Sequence, residues 1–177
     1  MKIIKNILIA IAVIIIIALL AALFIKKEYA VEREITINKP KQEVFDYLKL
    51  MKNQVYYNKW TMKDPGSVKE FRGTDGTPGF VVAWDSKDSD VGKGEQEIKN
   101  INEGNRINYE IRFEKPFEGI ADIQFITEAT SATQTKVKWT FAGKNKYPMN
   151  LMNLFIDGML GKDMNASLNN LKAVLEK

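Results

Sequence analysis

Seven aromatic residues carry the chemical promise of this chain: Trp60, Trp84, Tyr109, Phe113, Phe125, Trp139 and Phe155. Their rings bring large apolar area, and tryptophan and tyrosine add one polar handle each. Met149, Met152, Met159 and Met164 cluster towards the C-terminus. Flexible thioethers mould to irregular apolar surfaces, ligands included. Packing accounts for each of these residues taken singly. As a group they suit the lining of a hollow, and the candidate ligand-binding set is Trp60, Trp84, Tyr109, Phe113, Phe125, Trp139, Phe155 and Met159.

The chain contains no cysteine and no histidine. That removes disulfides, thiolate nucleophiles, Cys/His zinc sites and a cysteine-linked lipid anchor. Acid–base catalysis would have to use Asp, Glu, Lys or Tyr tuned by burial. Tyr109 is a conceivable proton donor. Glu110 and Asp122 alternate with apolar neighbours and so fall on the opposite, solvent-facing side of their strands. No pair is placed for catalysis, and no catalytic residue or cofactor is assigned. Gly73-Thr74-Asp75-Gly76 and Gly92-Lys93-Gly94 lack the spacing of a phosphate loop and read as hairpin turns. Asp85, Asp88 and Asp90 suggest calcium, but a calcium loop needs glycine sixth and glutamate twelfth. Asp90 and Gln96 stand there, so the stretch reads as a solvated acidic loop and no metal site is assigned.

The elements that must position the aromatic set follow from periodicity. Val31, Arg33, Ile35 and Ile37 share one face of a first strand. Asn38-Lys39-Pro40 opens a helix with Pro40 in its first turn, and Val44, Phe45, Leu48 and Met51 form its apolar stripe. Irregular helix continues to Trp60, and Asp64-Pro65-Gly66 ends it. Strands follow over Val68–Arg72, around Phe80, Val82 and Trp84, and over Gly94–Ile101. Ile107, Tyr109, Ile111 and Phe113 alternate strictly, which places them inward and Asn108, Glu110 and Arg112 outward. Ala121, Ile123 and Phe125 mark the next strand, and Val137, Trp139 and Phe141 the last. Thr130–Thr135 reads as a hairpin loop. After Pro148 the chain is helical, with one stripe of Leu151, Leu154, Phe155 and Met159 and another of Met164, Leu168, Leu171 and Leu175. Consecutive strands with short turns predict an antiparallel meander covered by the long last helix.

A different element precedes them. Every residue from Ile7 to Ile25 is apolar, with lysines on both sides. As a helix the run is about 28 Å long, close to the hydrocarbon thickness of a bilayer. A cleaved signal peptide has a shorter apolar core and an A-x-A-like site at its end; here the only such triplet, Ala10-Ile11-Ala12, lies deep inside the run. The expectation is a single-pass anchor that crosses a lipid bilayer through Ile7 to Ile25, taken as a bacterial plasma membrane. Lys2 and Lys5 nearly balance Lys26, Lys27, Arg33 and Lys39, so the positive-inside rule leaves the side open. The chain divides into an anchor and connector, residues 1–30, and a domain, residues 31–177. Of 26 basic and 22 acidic residues, the connector and anchor hold Lys2, Lys5, Lys26, Lys27 and Glu28, which leaves the domain nearly neutral. With no basic stripe, nucleic acid is not a partner.

Several local stretches resemble the START-like helix-grip superfamily, also called SRPBCC, in its polyketide cyclase/dehydrase branch. They are Ile35–Phe45, Trp60 with Asp64-Pro65, Gly92-Lys93-Gly94, Arg106-Ile107, Thr135–Trp139, and Gly161-Lys162-Asp163-Met164 with Leu168 and Leu171-Lys172. Lys59-Trp60-Thr61 departs from the Trp-Ser-Pro usual in that family. The resemblance implies an α+β helix-grip fold, a curled seven-stranded antiparallel sheet around a long C-terminal helix. It also implies an interior cavity for an apolar or amphipathic molecule. The expected function is membrane-tethered binding of a hydrophobic small molecule, a lipid or lipid-like metabolite. The alternatives are a cyclase- or dehydrase-type enzyme acting on a polyketide-like substrate and a ligand-free protein-interaction module. A binder requires a void on the order of 300 Å³ or more. It is expected between sheet and last helix, lined by Trp84, Tyr109, Trp139, Phe155 and Met159, with Gly158 and Gly161 leaving room beside it.

Overall fold

The computed structural model describes residues 2–177. Helix α1 spans Lys2–Ala22 and is long and apolar enough to cross a membrane. Strand β1, Glu28–Ile37, follows, then α2, Lys41–Lys49, a 3-10 turn, Met51–Tyr56, and the short α3, Lys59–Lys63. Six strands come next: β2 Val68–Arg72, β3 Val81–Asp85, β4 Lys93–Asn102, β5 Arg106–Lys115, β6 Gly119–Ser131 and β7 Gln134–Lys144. A second 3-10 turn, Met149–Leu154, leads into α4, Ile156–Leu175.

All seven strands form one antiparallel sheet in the order β1-β7-β6-β5-β4-β3-β2, left open between β1 and β2. This is the α+β helix-grip architecture. β5 follows the alternation read from the sequence. Ile107 and Tyr109 are fully buried, and Ile111 and Phe113 are half-buried on the same face. The core joins Phe45 and Leu48 of α2, Val137 and Trp139 of β7, and the α4 stripe of Met164, Leu168, Leu171 and Leu175.

Four local expectations are corrected. β1 starts at Glu28, so part of the connector is strand, paired from Glu28↔Lys144 onward. Thr130–Thr135 is not one loop. β6 and β7 run to Ser131 and Gln134, which pair, and a register shift beyond Ala129 absorbs the irregularity. Ser and Thr rich segments extend strands readily because β-branched threonine suits the pleated surface. The helix after Pro148 is broken. Asn150 Nδ2 donates to the carbonyls of Ala22 (2.6 Å) and Ile25 (2.8 Å), and Asn153 Nδ2 to those of Lys26 (2.8 Å) and Lys27 (3.0 Å). Asn150 thereby caps the last carbonyl of α1, where helix carbonyls lack partners, and Asn153 ties down the connector that follows. Their segment is held to α1 rather than continued into α4.

The fourth correction concerns the two glycines of α4. Gly158 has nothing within 4 Å of an added Cβ and lies exposed. It faces open space and no ligand hollow. Gly161 is buried against Arg33, whose Nη2 would sit 1.8 Å from a Cβ there. Arg33 in turn pairs with Asp157 at 3.0 Å, so Gly161 gives the β1 arginine room to bind the first turn of α4. A Gly158→Ala chain is therefore expected to be more stable by about 0.4–1 kcal/mol, because alanine lowers the conformational entropy of the unfolded chain at a first-turn position with room for a Cβ. Denaturant titration at constant m-value checks this.

Candidate functional site

The sheet encloses a cavity of about 270 Å³, slightly under the volume expected from the sequence. Its walls are inward positions of six strands: Phe71 on β2, Val82 and Trp84 on β3, Gln96 on β4, Ile111 and Phe113 on β5, Ile123 and Phe125 on β6, and Trp139 and Phe141 on β7. Strand alternation explains this, because every second residue of neighbouring strands meets on one face. The roof is the 3-10 turn Met51–Tyr56 and α3, through Met51, Gln54, Val55, Asn58, Trp60 and Thr61. The long helix α4 contributes Leu160. Sheet and last helix thus do not face each other across the hollow as expected.

Of the sequence-derived set, Trp60, Trp84, Phe113, Phe125 and Trp139 line the cavity. Phe125 stacks on Trp139 with centroids 5.0 Å apart, and Trp60 meets Trp139 edge-on at 6.0 Å. Trp84 meets Phe113 edge-on at 6.2 Å. The other three members lie elsewhere. Tyr109 is in the closed part of the core, where its hydroxyl donates to the Leu48 carbonyl at 2.9 Å. Burial pushes its pKa well above the ordinary tyrosine value. Phe155 and Met159 are 64% and 57% exposed and point away from the hollow. Their stripe belongs to the part of the chain beside α1.

Two residues without a sequence signal shape the walls. Gly94 lies under the Trp84 ring, and a Cβ there would approach the ring at 2.9 Å and the Arg112 carbonyl at 2.5 Å. The glycine therefore lets the indole lie across β4, while Trp84 Nε1 donates to the Val91 carbonyl at 3.1 Å. Gln96 is the second. It alternates with Ile98 on the inward face of β4 and is buried. A polar side chain at an inward strand register is the signal that would have found it. Gln54 is buried in the roof as well, in a stretch whose irregular helix hides any period.

The polar features are few. The indole N–H of Trp139 is buried without a hydrogen-bond partner. That donor is closed off from the hollow, and its missing partner is a local desolvation cost of the core. The charged lining residues are Lys52, Lys69 and Asp90. Lys69 Nζ donates to Ser67 Oγ at 2.9 Å, and Asp90 pairs with Lys63.

The roof is held mainly by polar ties. The Asn58 side chain caps α3 by accepting from the amides of Trp60 (3.0 Å) and Thr61 (3.4 Å). Lys63 reaches both Asp88 and Asp90 in the β3–β4 loop, and the Asp90 hydrogen bond raises its pKa. Ser86 Oγ donates to Asp64 at 2.5 Å. On the other side, Lys59 pairs with Asp163, and its amide donates to Ser167 Oγ at 2.9 Å. Asp85, Asp88 and Asp90 thus form a loop of which two members brace the roof. On the outer sheet face Glu110 pairs with Arg112, and Asp122 is exposed.

Solved structures share this fold. A protein from Chromobacterium violaceum superposes with a TM-score of 0.59 at 14% identity, over 84% of this chain and 97% of its own. The structure of Ara h 8.0201 gives 0.60 at 16% identity, over 84% and 97%. Norcoclaurine synthase from Thalictrum flavum, solved with dopamine and hydroxybenzaldehyde, gives 0.63 at 8% identity, over 84% and 86%. No curated protein sequence matches the chain. The model of the family described as polyketide cyclase / dehydrase and lipid transport matches residues 29–176. With the helix-grip sheet and nearly the whole domain matched, the chain belongs to the polyketide cyclase / dehydrase and lipid transport family of the START-like, SRPBCC superfamily.

Proposed function

We propose that the protein is a single-pass membrane protein of two parts, an anchor and connector over residues 1–30 and a binding domain over residues 31–177. The domain takes one hydrophobic small molecule, a lipid or lipid-like metabolite, into the cavity. The observation that carries this reading is the apolar hollow of about 270 Å³ walled by Trp60, Trp84, Phe113, Phe125 and Trp139. Such a space suits a small or slender apolar ligand, since it lies at the lower end of known small-molecule sites. Binding without turnover is favoured by the lining, whose charged residues sit at the rim and whose Asp90 is engaged by Lys63. The family description, which names lipid transport beside cyclases and dehydrases, supports the same ligand class. The apolar run Ile7 to Ile25 supports the bilayer as the second partner, with 0% of α1's apolar window buried against the domain.

The three tryptophans of the chain all line the cavity, so its own fluorescence reports occupancy. Full-length protein in lipid nanodiscs is expected to transfer excitation from tryptophan to a conjugated polyene fatty acid, saturably and with one molecule per chain. A Val82→Phe/Ile111→Phe chain, which fills the hollow from two strands of the sheet on either side of β4, is expected to weaken this at least about tenfold, a loss of about 1.4 kcal/mol of binding free energy. Equal saturable transfer in parent and variant would place the probe elsewhere and overturn the reading.

A further inference from the structure

The cavity and the end of α1 lie at the same end of the sheet. Tyr29 pairs with Gly143, Gly143 with Ala121, Ala121 with Ile111, Ile111 with Gln96 and Gln96 with Val82. This register line carries cavity walls at Ile111, Gln96 and Val82, and it starts one residue into β1. Only residues 23–27 separate α1 from β1. Asn150 fixes the second 3-10 turn to the end of α1, and Asn153 fixes it to the connector at Lys26 and Lys27.

Beside that junction the surface is apolar. Phe24 is 88% exposed, Leu154 62%, Phe155 64% and Met159 57%, with Met149 and Met152 also exposed. A contiguous exposed apolar patch of this kind marks an interaction surface. Lys26, Lys27, Lys146 and Lys162 are exposed around it. The acids beside it are all paired, Glu28 with Lys144, Asp157 with Arg33 and Asp163 with Lys59.

We propose that this surface, the second 3-10 turn and the first turns of α4, lies in the interfacial layer of the same leaflet that α1 enters, with its lysines among anionic headgroups. The inference rests on the reading of α1 as a membrane anchor. Continuity makes the bilayer the occupant, because a patch clamped to the end of a membrane helix reaches the lipid surface before any other partner. Apolar side chains beside lysines are the composition of interfacial segments. The exposed methionines and Phe155 that the sequence suggested for the ligand thus contact lipid, and the cavity end of the domain faces the leaflet from which an apolar ligand would enter.

The absence of cysteine makes a direct test simple. Ala12→Cys, Phe155→Cys, Met159→Cys and Ser131→Cys chains, each full-length, carry an environment-sensitive fluorophore and are reconstituted in vesicles of phosphatidylcholine and phosphatidylglycerol. A spin-labelled acyl-chain lipid serves as quencher. Labels at 12, 155 and 159 are expected to shift to the blue and to lose most of their emission to the quencher, while the label at 131, in the distant β6–β7 hairpin, does not respond. If 12 is quenched but 155 and 159 behave as 131, the interfacial surface is refuted and the anchor stands. If 155 and 159 are shifted to the blue without quenching, a protein partner covers them and the inference is equally refuted. If 12 is unquenched, the anchor reading falls and this inference with it.

Discussion

A Gly92→Ala chain is expected to lose about 3 kcal/mol of stability or more, and with it the binding of any apolar probe. Gly92 has φ +64, and a Cβ there would lie 2.1 Å from the Lys115 carbonyl oxygen and 2.9 Å from its carbon. The left-handed backbone costs an L-residue about 1–2 kcal/mol. The backbone clash adds to it, because a carbonyl in the adjacent β5 cannot rotate away as a side chain can. Gly79→Ala is the matched comparison. Its φ is +87 but nothing lies within 4 Å of an added Cβ, so it should show the backbone cost alone. Denaturant midpoints of the two variants measure the difference. Loss of probe binding at Gly92→Ala follows from position, since the turn carries Val91, which holds Trp84 and lines the cavity.

Replacing Arg112 by aspartate is expected to cost about 2 kcal/mol, well beyond an ordinary surface exchange. An ordinary outward-facing strand position would change stability by only about 0.5 kcal/mol. The structure shows why that is too small. Arg112 reaches Glu95 at 2.8 Å, Glu97 at 2.9 Å and Glu110, so a reversal of charge leaves four carboxylates together. The cost should shrink at high salt, because the cluster is partly exposed and screened. It should also shrink in acid. The hydrogen bond from Arg112 is the chief cause that holds the pKa values of Glu95 and Glu97 below the ordinary 4.5. A group whose folded pKa is lowered contributes stability that is complete above its unfolded value and lost as pH falls through the folded one. The gap between parent and variant should therefore be full at pH 7 and should narrow as the pH drops below 4.5. Thermal unfolding of both chains at pH 7 and pH 3.5 measures it.

Alternation carried most of the legible fold. Ile107, Tyr109, Ile111 and Phe113 were correctly placed on one face, because period two is imposed by the pleat itself. What alternation lacks is depth along the strand. Tyr109 shares a face with Phe113 yet lies in the closed core, where its hydroxyl finds the Leu48 carbonyl. Phe113, two pairs further along β5, meets the hollow. Helical periodicity showed the stripe of Leu154, Phe155 and Met159 but not what faces it, since a period says nothing about which neighbour arrives. No part of the domain covers that stripe, whose residues are 57–64% exposed, and the residues that tie this segment down are Asn150 and Asn153, polar side chains in an apolar stretch. The roof over residues 51–63 was the least legible. It is a 3-10 turn followed by one short helix without a buried residue, and it is held by Lys59, Lys63 and Asn58 rather than by a periodic apolar face.

The interior itself separates the readings of function. A ligand-free interaction module would have a filled core, and a cyclase or dehydrase would alter the molecule it holds. Native mass spectrometry of the full-length protein released from nanodiscs tests this most directly. The account predicts a species heavier by one small apolar molecule, which is released unchanged on unfolding and is strongly depleted in the Val82→Phe/Ile111→Phe chain. A bare mass under all conditions, with no change in tryptophan emission on addition of apolar compounds, would contradict it.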